Sequence, residues 1–131
     1  MPAELNMLEG GRVLFARFHG DVDNDDLLAQ TKAIREHPGI TSETGLIVDM
    51  TEIASFRVTP DGARSVMADP GPFHRSQKPI VVIATSDVVY GTARLLEMAS
   101  FGLFNVRVVR SREEAFAVFG VGDPLATKEG R

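Results

Sequence analysis

Apolar and polar positions alternate in blocks along this chain. Gly45-Leu46-Ile47-Val48-Asp49 is followed by a helical pattern from Thr59, and Lys78-Pro79-Ile80-Val81-Val82-Ile83-Ala84 by a second, Val88 to Ser100. Asn105-Val106-Arg107-Val108-Val109 is followed by a third, Ser111 to Phe119. Short apolar runs alternating with helical stretches predict crossover units around a buried, largely parallel sheet.

Upstream the pattern differs. Glu4 to Leu8 reads as a short strand, Gly10-Gly11 as a tight hairpin turn, and Arg12 to Phe18 as its partner. Val13, Phe15 and Ala16 are the inward candidates of that partner, and Gly20 is expected to break it. Asn24 to Glu36 carries Leu27, Leu28 and Ile34 on one helical face. Asp23 or Asn24 caps its start, Asp25 and Asp26 suit the positive end of the dipole, and Pro38-Gly39 stops it. Thr59 caps the second helix, with Pro60 at the first helical position, and Asp69-Pro70-Gly71-Pro72 ends it. Ser111 and Glu114 have the spacing of a capping box, and Gly120 closes the last helix.

Size and composition narrow the classes. At 131 residues the chain suits one domain and needs no disulfide or metal staple. It has no cysteine, which removes thiol catalysis, thiolate zinc and iron–sulfur chemistry. The net charge of -4 comes without any basic stripe, so no nucleic-acid partner is expected. No apolar run approaches a membrane span, and Met1-Pro2-Ala3-Glu4 does not read as a secretory signal. The expected location is the cytoplasm.

The strings Ile47-Val48-Asp49-Met50-Thr51, Val81-Val82-Ile83-Ala84, Tyr90-Gly91-Thr92-Ala93-Arg94, Val106-Arg107-Val108-Val109 and Glu113-Glu114-Ala115 together resemble a family. It is the SpoIIAA-like group of small bacterial proteins, with the fold of the STAS anti-sigma-factor antagonists. The resemblance runs from about Leu5 to Gly120. It implies a single α/β domain over residues 1–131, with a mixed sheet of four or five strands and about four helices. Residues from about 122 onward are expected to form a flexible tail. The resemblance implies no one activity. STAS antagonists are switched by phosphorylation of a serine at a helix start after the strand-Asp. The matching stretch here, Phe56-Arg57-Val58-Thr59-Pro60-Asp61, lacks an Asp-Ser pair and offers the hydroxyl of Thr59. A phosphate at a helix N-terminus is electrostatically favourable, while the plain role of Thr59 is a cap.

Other constellations weaken on inspection. Asp21-Val22-Asp23-Asn24-Asp25 begins like a calcium loop, but Asp26 stands where glycine is needed and Lys32 where the bidentate glutamate belongs. Helix-end charge is the better reading. His19, His37 and His74 show no metal-pair spacing, and His37 suits a helix C-terminus. Neither a Gly-x-Ser-x-Gly elbow nor a phosphate-binding Gly-rich loop occurs. No metal, cofactor or enzymatic role is expected.

One cluster remains. Thr85-Ser86-Asp87 forms the turn into the third helix, where Tyr90 and Arg94 share a face. Asp49 and Thr51 are expected beside them, followed by Arg110 and Ser111. Ligands of open sheets gather beyond the carboxyl ends of strands, and Arg94 offers a fork of donors to a carboxylate or phosphate. Asp49, Thr51, Thr85, Ser86, Tyr90 and Arg94 are therefore the candidate ligand-binding residues. The competing role of Arg94 is an ion pair with Asp87, Glu97 or Asp49. The third helix also carries Leu95, Leu96, Met98 and Ala99, followed by Phe101, Leu103 and Phe104, more than one buried face needs. The expected activity is thus a non-enzymatic binding or regulatory module, acting on a protein partner around Thr59 or as a homodimer. The alternative is a protein binding a small anionic or lipid ligand near Arg94.

Overall fold

The computed structural model describes residues 3–41, 43–67, 78–99 and 105–123. The chain runs β1 (Ala3–Leu8), a 3₁₀ turn (Glu9–Gly11), β2 (Val13–Asp23), α1 (Asn24–Arg35), β3 (Gly45–Arg57) and α2 (Pro60–Met67). It continues through β4 (Ile80–Ile83), α3 (Asp87–Ala99), β5 (Val106–Val109) and α4 (Arg112–Phe119). The five strands form one sheet in sequence order. β1 and β2 are antiparallel, and every later pairing is parallel. This is the expected mixed sheet, a hairpin followed by three crossovers. Asp49, Ile83 and Val109 stand in register, so β3, β4 and β5 reach a common level.

Side chains alternate across a strand, so the sheet has two distinct faces. Leu14, Ala16, Phe18, Leu46, Val48, Met50 and Val82 lie on the first, under α1, α2 and α3. Leu27, Ile34, Val66, Val89, Tyr90 and Ala93 are among the helical residues that close it. The second face presents Val13, Phe15, Ile47, Val81 and Ile83 to Ala115 and Phe116 of α4. There Phe15 and Phe116 meet edge to face, with ring centres 5.2 Å apart. Val13 to Ala16 are all buried because β2 lies inside the sheet and both its sides are covered.

Two strands are longer than their patterns suggest. Gly20 does not end β2; it sits at φ +74, where a side chain is disfavoured, and the strand continues to Asp23. The register slips near Arg17–His19 and again at Gly20–Asp21, as bulges do. β3 likewise runs on from Met50 to Arg57. Its second half pairs with β2 alone, past the last partner of β4 at Asp49. A two-stranded ribbon is half exposed, so it lacks the unbroken apolar run that marks the buried part.

The acidic stretch before α1 is a helix cap. Asp23 Oδ1 accepts from the Asp26 N–H at 2.9 Å, and Asp26 Oδ2 accepts from the Asp23 N–H at 3.0 Å. This is a complete reciprocal box. The Asp26 N–H is the main cause that holds the Asp23 carboxyl below its usual value. At α4 only half of the expected box forms. Ser111 Oγ accepts from the Glu114 N–H at 3.1 Å, but the Glu114 carboxylate takes the Arg110 N–H and the Ser111 hydroxyl instead of the Ser111 N–H. His37 also departs from expectation: its Nδ1 accepts from the Gly39 N–H at 3.0 Å and shapes the turn after α1.

Three expectations fall outside the described residues. They are the 69–72 stop of the second helix, the loop with His74, and the apolar Phe101, Leu103 and Phe104. The proposed tail lies outside them from residue 124.

Candidate functional site

The six candidate ligand-binding residues divide between the two sides of the sheet. Asp49 follows Ile47 on the second face, between Val48 and Met50 of the first. It is 1% exposed. Its Oδ1 accepts from the Thr51 N–H at 2.9 Å, and its Oδ2 accepts from Arg112 Nη1 at 3.3 Å. Arg112 opens α4 and also grips Asp123 with two donors, Nε at 3.0 Å and Nη2 at 2.9 Å. That bond to Asp123 is the main reason the guanidinium is held above its ordinary value; burial opposes it, and Asp49 and Glu52 reinforce it. Gly120, at φ +66, reverses the chain after α4 and lets Asp123 return toward the first turn of that helix.

Thr85, Ser86 and Tyr90 gather on the other side, around the start of α3. Ser86 Oγ accepts from the Val89 N–H at 3.2 Å and caps the helix. Arg110, just past β5, lies 4.3 Å from the centre of the Tyr90 ring. It donates to the Thr85 carbonyl at 2.8 Å and to Asp87 Oδ1 at 3.2 Å. Tyr90 itself packs against the core of the first face. Arg94 points elsewhere: its partner is Glu97, one turn along α3. Of the three carboxylates open to it by spacing, the structure selects this one.

Topology explains why these groups do not converge. A ligand crevice in an open sheet forms where strand order reverses and crossovers change sides. Here β2 to β5 run in order, and α1, α2 and α3 all cover the same face. The carboxyl rim therefore has no switch point. Its polar groups serve as caps, ion pairs and a ring contact.

Thr59 is held at the start of α2. Its Oγ accepts from the Gly62 N–H and from Asn24 Nδ2, each at 3.1 Å, and its N–H donates to Asn24 Oδ1 at 3.0 Å. The starts of α1 and α2 are thereby tied together. Gly62 makes the contact possible, since a Cβ there would come 2.0 Å from Asn24 Oδ1.

Arg112 and Asp123 are the ion-pairing residues that sequence reasoning passed over. The pairing of Arg112 with Asp49 spans 63 positions and has no local signal. Gly91, in the string that carries the resemblance, lies inside α3. Unlike Gly62, it has open space where a Cβ would stand, and its φ is not positive. With Val88, Leu95 and Met98 it forms a stripe at i, i+3, i+7 and i+10. Val88 is 67% exposed, Met98 66% and Leu95 40%. The stripe lies opposite the buried Val89 and Ala93.

No family model matches the sequence. No curated protein matches it. Among solved structures it is similar to an uncharacterized protein of the DUF3478 family with a SpoIIAA-like fold, from Shewanella loihica PV-4. The TM-score is 0.56, the identity 12%, and the match covers 88% of this chain and 90% of that one. At that identity the likeness is one of fold, and the fold is SpoIIAA-like. No helix among the described residues is long and apolar enough to cross a membrane.

Proposed function

We propose that this chain is a non-enzymatic binding or regulatory module that works through a protein–protein contact. One contrast carries the reading. The polar groups of the rim are engaged internally, Arg94 by Glu97, Arg110 by Asp87 and Thr85, and Asp49 by Arg112. The outward side of α3 meanwhile presents an apolar stripe that the fold does not use. Apolar side chains aligned on one exposed helix face offer a surface for a small contact. The alternative, an anion-recognising or lipid pocket at Arg94, has less behind it. Its guanidinium already has a carboxylate, and Asp49 lies on the opposite face.

Thr59 enters the same reading as a point of control. A phosphoryl group on its Oγ would displace both the Asn24 and the Gly62 contacts and loosen the junction of α1 and α2. Intact-mass measurement after incubation with kinases, with Thr59→Ala as control, tests this; an unchanged mass removes the switch.

Native mass spectrometry of the purified chain, alone and after exposure to cell extract, tests the main reading. A protein complex or a doubled mass is expected. A retained small molecule with no protein partner would replace it with the ligand reading.

A further inference from the structure

The outward stripe of α3 matches itself. We infer that its partner is a second copy of this chain, packed antiparallel about a two-fold axis that passes α3 near Ala93. This rests on the binding-module reading and names the partner for that surface.

In a two-fold contact each residue pairs with a symmetry mate, and the mate pairs back. Antiparallel packing about Ala93 sets Val88 against the partner's Met98 and Gly91 against the partner's Leu95. Both pairs occur twice. In the central pair a large side chain opposes a residue with none, so each Leu95 enters the notch over the other Gly91. That gives Gly91 a reason to be glycine, which the single chain does not supply: nothing lies within 4 Å of its missing Cβ. Gly45 and Gly62 differ, because a Cβ would come 2.2 Å from the Phe119 ring at the first and 2.0 Å from Asn24 at the second.

Charge along the stripe permits the pairing. Arg94 and Glu97 neutralise one another on its flank, and Asp87 is paired with Arg110. A second copy therefore meets no uncompensated like charge at the centre. Area sets the strength. The outer side of a 13-residue helix measures roughly 20 Å by 10 Å, well short of the ~800 Å² per partner of a standard stable interface. The dimer is thus weak and reversible.

Sedimentation velocity of the full chain from about 10 µM to about 1 mM tests the pairing. The wild type is expected to shift from monomer to dimer across that range. Gly91→Leu fills the notch and is expected to stay monomeric with an equal or higher melting temperature, since the position is open within the chain. A wild type that stays monomeric throughout, or a Gly91→Leu chain that dimerises like the wild type, overturns the inference. The absence of cysteine allows a check of register with a short bis-maleimide. Arg94→Cys lies near the axis and should couple to itself. Val88→Cys should couple poorly to itself but readily to Met98→Cys. Efficient Val88→Cys self-coupling would overturn the antiparallel register.

The two levels of the proposal fail differently. A monomeric wild type whose complex with another protein is lost in Leu95→Glu defeats the second copy and leaves the binding module standing. A monomeric wild type that carries only a small-molecule adduct defeats both.

Discussion

The two faces of the sheet are closed by different physics. Three helices close the first with apolar side chains, Leu14, Phe18, Val48 and Met50 among them. One eight-residue helix closes the second, and at its upper end the packing gives way to a partly buried charge cluster. Asp49 there is almost without exposure and shares the Arg112 guanidinium with Asp123. Apolar burial degrades in proportion to what is removed. A buried ion pair does not: removing one partner strands the other in a medium that solvates it badly. The second face is therefore the brittle one, although it holds the smaller core. Its charges, which at first sight suggest chemistry, hold the start of α4 and the returning chain against the sheet.

The sharpest way to break this contrast is to remove a single charge. Arg112→Met keeps much of the volume but leaves Asp49 buried with only the Thr51 N–H and strips Asp123 of both its bonds to Arg112. Urea unfolding should show a loss of about 3–5 kcal/mol. The double change Arg112→Met with Asp49→Leu should recover much of it, because the stranded charge is gone. If the double variant is no more stable than the single one, the charge cluster is not what makes this face brittle.

Of similar size are the apolar comparisons. Phe15→Ala on the second face and Phe18→Ala on the first should each cost about 3–5 kcal/mol by the same measurement, with Phe15→Ala at the upper end. Phe15 also carries the ring contact to Phe116 and lies 5.8 Å under the Arg112 guanidinium. A smaller loss at Phe15 than at Phe18 would mean that the single-helix face collapses around the gap.

A smaller effect is expected at the ends of the first-face helices. The Asp23 carboxyl is held below its usual value in the folded chain, chiefly by the Asp26 N–H. Its contribution is present above the unfolded carboxylate value, about pH 4, and is lost as pH falls through the lower folded value. Melting temperatures of the wild type and Asp23→Ala should differ at neutral pH and converge in acid. A constant difference at every pH would show that ionisation of Asp23 does not matter to the cap.

The smallest expected change has the opposite sign. Gly91→Ala should raise stability by roughly 0.5–1 kcal/mol, read from thermal unfolding of dilute protein. A loss instead would show that Gly91 has a role inside the single chain, and the α3 stripe would lose its best indication of a partner.

Much of the architecture was readable from pattern alone. β4 is an unbroken apolar run because it is covered on both faces. The starts of α1, α2 and α4 are marked by Asp23, Thr59 and Ser111, which satisfy N–H groups within three residues. Such signals are legible because donor and acceptor lie close in the chain. The second half of β3 was not legible, since its pairing depends on where β2 lies after the bulges.

For the candidate site the division is plainer still. Residue type and spacing determined that Tyr90 and Arg94 share a helix and that Thr85 and Ser86 lead into it. They also determined an α/β fold with chemistry-bearing groups near the strand ends. Which groups meet was decided by the tertiary structure alone: the alternation at Val48 turns Asp49 away from Tyr90, Arg110 rather than Arg94 covers the Tyr90 ring, and Arg112 reaches across 63 positions to Asp49. The physical reason is range. Caps and helical faces are set by neighbours a turn away, whereas the partner of a charged side chain depends on which strand lies beside which and on the side of the sheet where the next helix lands.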